Sequence, residues 1–170
     1  IRGVFIHEIL HTMGIRDDGA KNYSQFMTVV DSQIVYVGPN AVRAYSEILI
    51  AKNLGDTNRQ GLIPLENSGG SGSRLGHPEE GAVFGGPGPD TIEYRSINGV
   101  DYPSFNNEII SPQMNTNNVL SRLTVGFLQD LGFTAFSNFE NFTVGDDEFV
   151  SVVPDASDSI VIRRNSAYAL

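Results

Sequence analysis

A chain of 170 residues and 18.5 kDa is the size of one ordinary domain and can bury a sizeable core. Eleven basic against twenty acidic residues give a net charge of -9, which repels phosphate backbones and anionic headgroups and argues against nucleic acid as a partner. The 40% hydrophobic content excludes a disordered chain, no apolar run is long enough to span a bilayer, and the absence of cysteine leaves histidine and carboxylate to hold any metal.

Residues 1 to 13 repeat apolar side chains at helical spacing, with Phe5, Ile9 and Met13 in one row and Ile6 and Leu10 in the next. Gly14 ends that pattern. The apolar positions cover nearly every direction except those of His7, Glu8 and His11, so a helix buried all round is expected. Phe26 to Val30 and Gln33 to Val37 read as short strands about an Asp31-Ser32 turn. Asn40 is placed to cap a second helix whose Ala41, Ala44, Tyr45, Ile48 and Leu49 share a face, with Gly55 just past its end.

Residues 55 to 90 are rich in glycine, proline, serine and asparagine, and a flexible linker is the simplest reading. Gly85-Gly86-Pro87-Gly88-Pro89 lacks the lysine and the strand-to-helix setting of a phosphate loop. A third helix runs from Ser121 as N-cap, through Leu123, Phe127, Leu128 and Leu131, to Gly132. Beyond Phe133, alternating runs such as Phe149 to Val153 and Ile160 to Ile162 suggest strands. The acidic residues between 140 and 160 read as a solvated surface rather than a calcium site. The expected organisation is therefore α+β, mainly helices and long loops over residues 1 to 133, followed over 134 to 170 by a tail or the start of a further strand-rich region.

His7-Glu8-Ile9-Leu10-His11 is an H-E-x-x-H sequence on a helix, where residues four apart stand on one face and two imidazoles converge. Neutral imidazole is a good zinc ligand, and catalytic sites take three protein ligands and leave the fourth position to water. The intervening Glu8 then sits where a general base is needed for attack of water on a carbonyl. Two residues compete for third ligand. His11-Thr12-Met13-Gly14-Ile15-Arg16-Asp17 extends the motif so that Asp17 returns after the glycine break, whereas His77 is the only other histidine of the three in the chain. Spacing does not choose between them.

Several further segments, taken in order, carry a resemblance. They are His7 to Gly14, Val37-Gly38-Pro39-Asn40-Ala41-Val42, Pro64-Leu65-Glu66-Asn67-Ser68-Gly69-Gly70 leading to His77, and Ala82-Val83-Phe84-Gly85. After these come Asn107-Glu108-Ile109-Ile110, Ser121-Arg122-Leu123-Thr124 and Gln129-Asp130-Leu131-Gly132-Phe133. Together they resemble the leishmanolysin-type zinc metalloproteases, a branch of the metzincins, over roughly residues 1 to 133. That resemblance implies zinc held by His7, His11 and His77, with Glu8 as general base and Asp17 left in a loop. It implies a protein or peptide substrate and an extracellular or cell-surface setting. The lack of cysteine makes the chain look more like a bacterial relative. The family's N-terminal half, with a sheet edge that pairs with extended substrate, has no counterpart here, so the chain is expected to be a fragment of low activity.

Two departures stand against the family pattern. Ile110 occupies the position of the methionine that the family keeps in a tight turn beneath the metal, and Met114 lies four residues later. Packing rather than ligation is the role of that side chain, so isoleucine is compatible with activity. Residues Gly86 to Asn106 lengthen an interval that is short in the family, and a surface excursion is expected. The functional expectation is a zinc-dependent endopeptidase using a metal-activated water. Its alternative is a degenerate, non-catalytic metzincin-fold binding or structural domain, supported by the substitution at Ile110.

Overall fold

Two consecutive residues in the left-handed region, Asp31 (φ 49°) and Ser32 (φ 61°), make the tight turn that a two-residue hairpin requires. That turn sets the register of strand β1 (Met27–Val30) against β2 (Gln33–Tyr36), from Met27 opposite Tyr36 to Val30 opposite Gln33. Strand β3 (Ile63–Pro64) adds to the other side of β2, antiparallel, giving the order β1-β2-β3. The computed structural model describes residues 2–16, 21–51, 61–80, 94–104, 108–112, 120–134 and 163–164. Within these, α1 spans Arg2–Thr12, α2 Lys21–Ser24, α3 Pro39–Ala51 and α4 Arg122–Asp130. Strands β4 (Tyr94–Ile97) and β5 (Val100–Pro103) form a second hairpin about Asn98-Gly99, and β6 (Phe133–Thr134) pairs antiparallel with β7 (Arg163–Arg164). Helices and small antiparallel sheets together make the fold α+β, as expected.

Burial follows one shared core. Leu10, Tyr36, Tyr45, Leu49, Ile63, Ile97, Ile110, Leu123 and Phe127 belong to it, drawn from α1 through to α4. Tyr36 is its aromatic hub, with ring centroids 4.9 Å from Tyr23, 4.8 Å from Phe127 and 5.6 Å from Phe26. The hairpin β4–β5 is not a surface excursion: Ile97 and Tyr102 are buried in this core, and the Tyr45 hydroxyl donates to the Pro103 carbonyl at 3.0 Å. The longer interval is therefore structural where it is described, because it supplies apolar side chains to the shared core. Gly85 to Pro89 and the acidic tail residues lie outside the described residues.

The start of α3 is capped differently from expectation. Asn40 lies inside the first turn, and the Gly38 carbonyl already accepts from Val42 N–H at 3.0 Å. The orphan donors go to Asp130, at the far end of α4, whose carboxylate accepts from Asn40 N–H (2.9 Å), Ala41 N–H (3.1 Å) and the Asn40 side-chain amide (2.9 Å). A negative group at a helix N-terminus also matches the helix dipole. Ser121 caps α4 as expected, its hydroxyl accepting from Leu123 N–H, and Gly132 (φ 84°) follows the helix end.

Helix α1 departs from expectation on its outer face. His7 and Leu10 point inward, while Val4, Phe5, Ile6 and Ile9 are exposed, Phe5 by 67%. The described chain packs on one side of this helix only, so its apolar wheel is split between core and solvent. No helix among the described residues is long and apolar enough to cross a membrane.

Helices α3 and α4 cross at Gly126, where an added Cβ would lie 2.5 Å from Ala41 Cα and 2.8 Å from Ala41 N. Both neighbours are backbone, so neither side can yield by rotating a side chain. Gly126→Ala is expected to lower stability by about 1–3 kcal/mol through overpacking, read as a reduced urea midpoint at constant slope. An unchanged midpoint contradicts this crossing.

Candidate metal centre

Helical spacing brings His7 and His11 onto the inner side of α1, and the break after that helix completes the environment of the second. Gly14 adopts φ 108°, which an L side chain rarely tolerates, and Ile15 N–H then returns to the Leu10 carbonyl at 3.2 Å. This fold-back buries Ile15 completely and turns its carbonyl onto His11 Nδ1 at 2.6 Å.

His77 arrives from the glycine-serine stretch, which is an ordered loop rather than a flexible linker. Glu66 N–H donates to the His77 carbonyl (3.0 Å), Leu75 N–H to Glu66 (2.8 Å) and Glu79 N–H to Pro64 (3.0 Å), so the loop is zipped at its base. The Glu66 carboxylate accepts from the Ser68 backbone at 2.6 Å and also from its hydroxyl. Arg95 on β4 clasps the loop from outside, pairing with Glu79 at 2.7 Å and donating to Asn67 at 3.1 Å. Gly69 takes φ 77°, but a Cβ at Gly70 or Gly72 would meet nothing within 4 Å, so close backbone approach is not why those two are glycine.

The three imidazoles meet. His7 Nε2 lies 2.9 Å from His11 Nε2 and 3.2 Å from His77 Nε2, and one ligand atom from each residue falls within 4.8 Å of the others. Nitrogens around a tetrahedral zinc at about 2.0 to 2.1 Å are separated by about 3.3 Å, so the two separations from His7 are close to those a single ion needs. The rings of His7 and His77 are near parallel (18°), and that of His11 stands at 87° to both. His7 and His77 are buried, and His11 is half-buried.

Each outer nitrogen is engaged. His7 Nδ1 donates to the Ile109 carbonyl at 2.8 Å, His11 Nδ1 to Ile15 and His77 Nδ1 to Ser73 at 2.8 Å. A carbonyl oxygen only accepts, so every Nδ1 carries its hydrogen and every neutral ring turns an unprotonated Nε2 inward. Three lone pairs then face one another in a buried space, an arrangement that repels itself until a cation stands between them. Protonating the rings is the other escape, and burial opposes it. Burial pushes His77 down to about 3, against its bond to Ser73, with His11 and His7 adding to the fall. His7 is also lowered, first by burial, with the bond to Ile109 opposing.

Of the expected site residues, His7, His11 and His77 are brought together, and Glu8 is exposed beside His7 on the same helix. Asp17 and Met114 lie outside the described residues. Ile110 is wholly buried on the turn that follows Glu108. The three backbone acceptors were not foreseen from sequence. Only that of His11 had a signal, the glycine break that turns Ile15 back. Comparisons with protein-family models, curated proteins and solved structures found no match for this chain.

The lowered imidazoles set a pH dependence for the metal-free protein. Unfolded histidine takes up a proton near 6.5, whereas His77 in the fold does so only near 3. The unfolded chain therefore binds more protons in that window, and stability falls as pH drops below about 6.5. The urea midpoint of metal-free protein should decrease from pH 7 to pH 5, and His77→Gln should flatten the decrease. A flat wild-type profile contradicts buried neutral imidazoles.

Proposed function

We propose that this protein is a zinc-dependent endopeptidase of the leishmanolysin type, with His7, His11 and His77 as zinc ligands and Glu8 as general base. The observation that carries the reading is the convergence of three Nε2 atoms whose rings are already oriented by backbone carbonyls. Zinc is the ion chosen because three neutral imidazoles and no thiolate suit it, and three protein ligands are the number a catalytic zinc site keeps. When bound, zinc polarises a substrate carbonyl and lowers the pKa of water towards about 7.

The chain's own residues do the rest. Glu8 lies between the two helical histidines in sequence and is exposed, so its carboxylate can take the proton of an attacking water and pass it to the leaving amine. The carbonyls of Ile15, Ser73 and Ile109 hold the imidazoles in one tautomer throughout. The loop carrying His77 is braced by Arg95 and Glu79, which limits how far that ring can drift. Substrate is protein or peptide, and the setting extracellular or at the cell surface, on the strength of the sequence resemblance alone.

A second reading keeps the metal and drops the catalysis: a metzincin-fold binding or structural domain. Its support is Ile110, buried where the family carries methionine.

Wild-type protein should bind one equivalent of zinc at neutral pH. His77→Ala should weaken binding by more than the ~10–100-fold typical of losing an outer partner, while Asp17→Ala should leave it nearly unchanged. The reverse pattern makes Asp17 the third ligand. Glu8→Gln, made in a longer polypeptide that contains this chain, should keep the zinc and lower casein hydrolysis by orders of magnitude. Retained hydrolysis removes Glu8 from the mechanism, and its absence in that longer polypeptide with zinc bound and Glu8 in place favours the binding domain.

A further inference from the structure

The three histidines do not obtain their acceptors in the same way. His11 uses a carbonyl four residues ahead of it and His77 one four residues behind, both within a single local segment. His7 reaches Ile109, 102 residues away. Its orientation therefore depends on how firmly a remote turn is held.

That turn is closed by Ser111 N–H donating to the Glu108 carbonyl at 2.9 Å, with Ile109 at its second position. Glu108 is 2% exposed, and its side chain reaches the N-terminus of α4. There the carboxylate accepts from Ser121 N–H at 3.2 Å, from the Ser121 hydroxyl, and from the Thr124 hydroxyl at 2.5 Å. The Ser121 oxygen already accepts from Leu123 N–H at 3.0 Å, which directs the hydroxyl hydrogen to Glu108. One buried side chain thus ties the turn under His7 to the capping residue and first turn of a core helix.

We propose that Glu108 is a positioning residue of the metal centre: by fastening the 108–111 turn to α4 it fixes the Ile109 carbonyl, and through it the ring orientation and tautomer of His7. The inference rests on the reading of the three histidines as metal ligands. A clamp that merely strengthens the fold would loosen all three rings together. A clamp acting through Ile109 loosens one, because the bonds that orient His11 and His77 end on Ile15 and Ser73, in other segments.

The test uses the full chain and two variants, Glu108→Ala and Thr124→Val. Zinc affinity is measured by competition with a chromogenic chelator, and histidine tautomers by long-range proton–nitrogen correlation spectra of metal-free and zinc-loaded protein. Glu108→Ala is expected to weaken zinc binding about 10–100-fold, with a smaller loss in the same direction for Thr124→Val. In the spectra the His7 ring signals should move or split between tautomers, while those of His11 and His77 stay in place. Should Glu108→Ala fail to fold, Thr124→Val decides, since it keeps the carboxylate and deletes one donor from it. Wild-type affinity with unmoved His7 signals overturns the proposal, as does equal disturbance of all three rings. If wild-type protein binds no zinc, the ligand reading itself has failed, an outcome visible before any variant is made.

Discussion

Three hydrogen bonds from imidazole Nδ1 atoms to backbone carbonyls are the constraint on which the rest of this structure turns. Each removes one ring nitrogen from play and forces the other to face inward without a proton. Solvent cannot freely relieve the result, because two of the three rings are buried, and protonation is opposed by the same burial. A divalent cation relieves it directly. Three imidazoles whose ligand atoms lie within 4.8 Å of one another are thus close enough, and turned the right way, to hold a metal ion.

The remainder of the fold supplies the three carbonyls. A helix end broken at Gly14 gives Ile15, a loop zipped to β3 gives Ser73, and a turn hung from α4 gives Ile109. Helix α4 has a double duty, since its first turn receives Glu108 and its last residue, Asp130, caps α3. The close crossing at Gly126 lets the two helices lie near enough for Asp130 to reach. Core packing and site geometry are thus joined through the same nine-residue helix.

The parts of this design that depend on short-range periodicity were legible in the amino-acid sequence. His7, Glu8 and His11 stand out because four residues make one helical turn, and the Asp31-Ser32 hairpin and the Ser121 cap follow equally local rules. His77 was reached through resemblance, since nothing local marks one histidine after a glycine-rich stretch as a partner of two others sixty-six or more positions earlier. The burial of the β4–β5 hairpin, the capping of α3 by Asp130 and the role of the Ile109 carbonyl are contacts between distant segments. No pattern within any one segment encodes them. The outward-facing apolar residues of α1 mislead for a related reason: a wheel shows which side chains avoid water, but not which side the neighbours occupy.

The separation between His7 and its acceptor has a kinetic side. Contacts that close a loop of some hundred residues cost chain entropy that a four-residue contact does not, and they form late. On the way to the native state the corners at His11 and His77 can be shaped by their own segments, whereas the corner at His7 waits for two segments 102 residues apart to come together. An ion that needs all three corners is then kept only by the finished molecule, and its escape should track global unfolding more closely than fraying of any single loop.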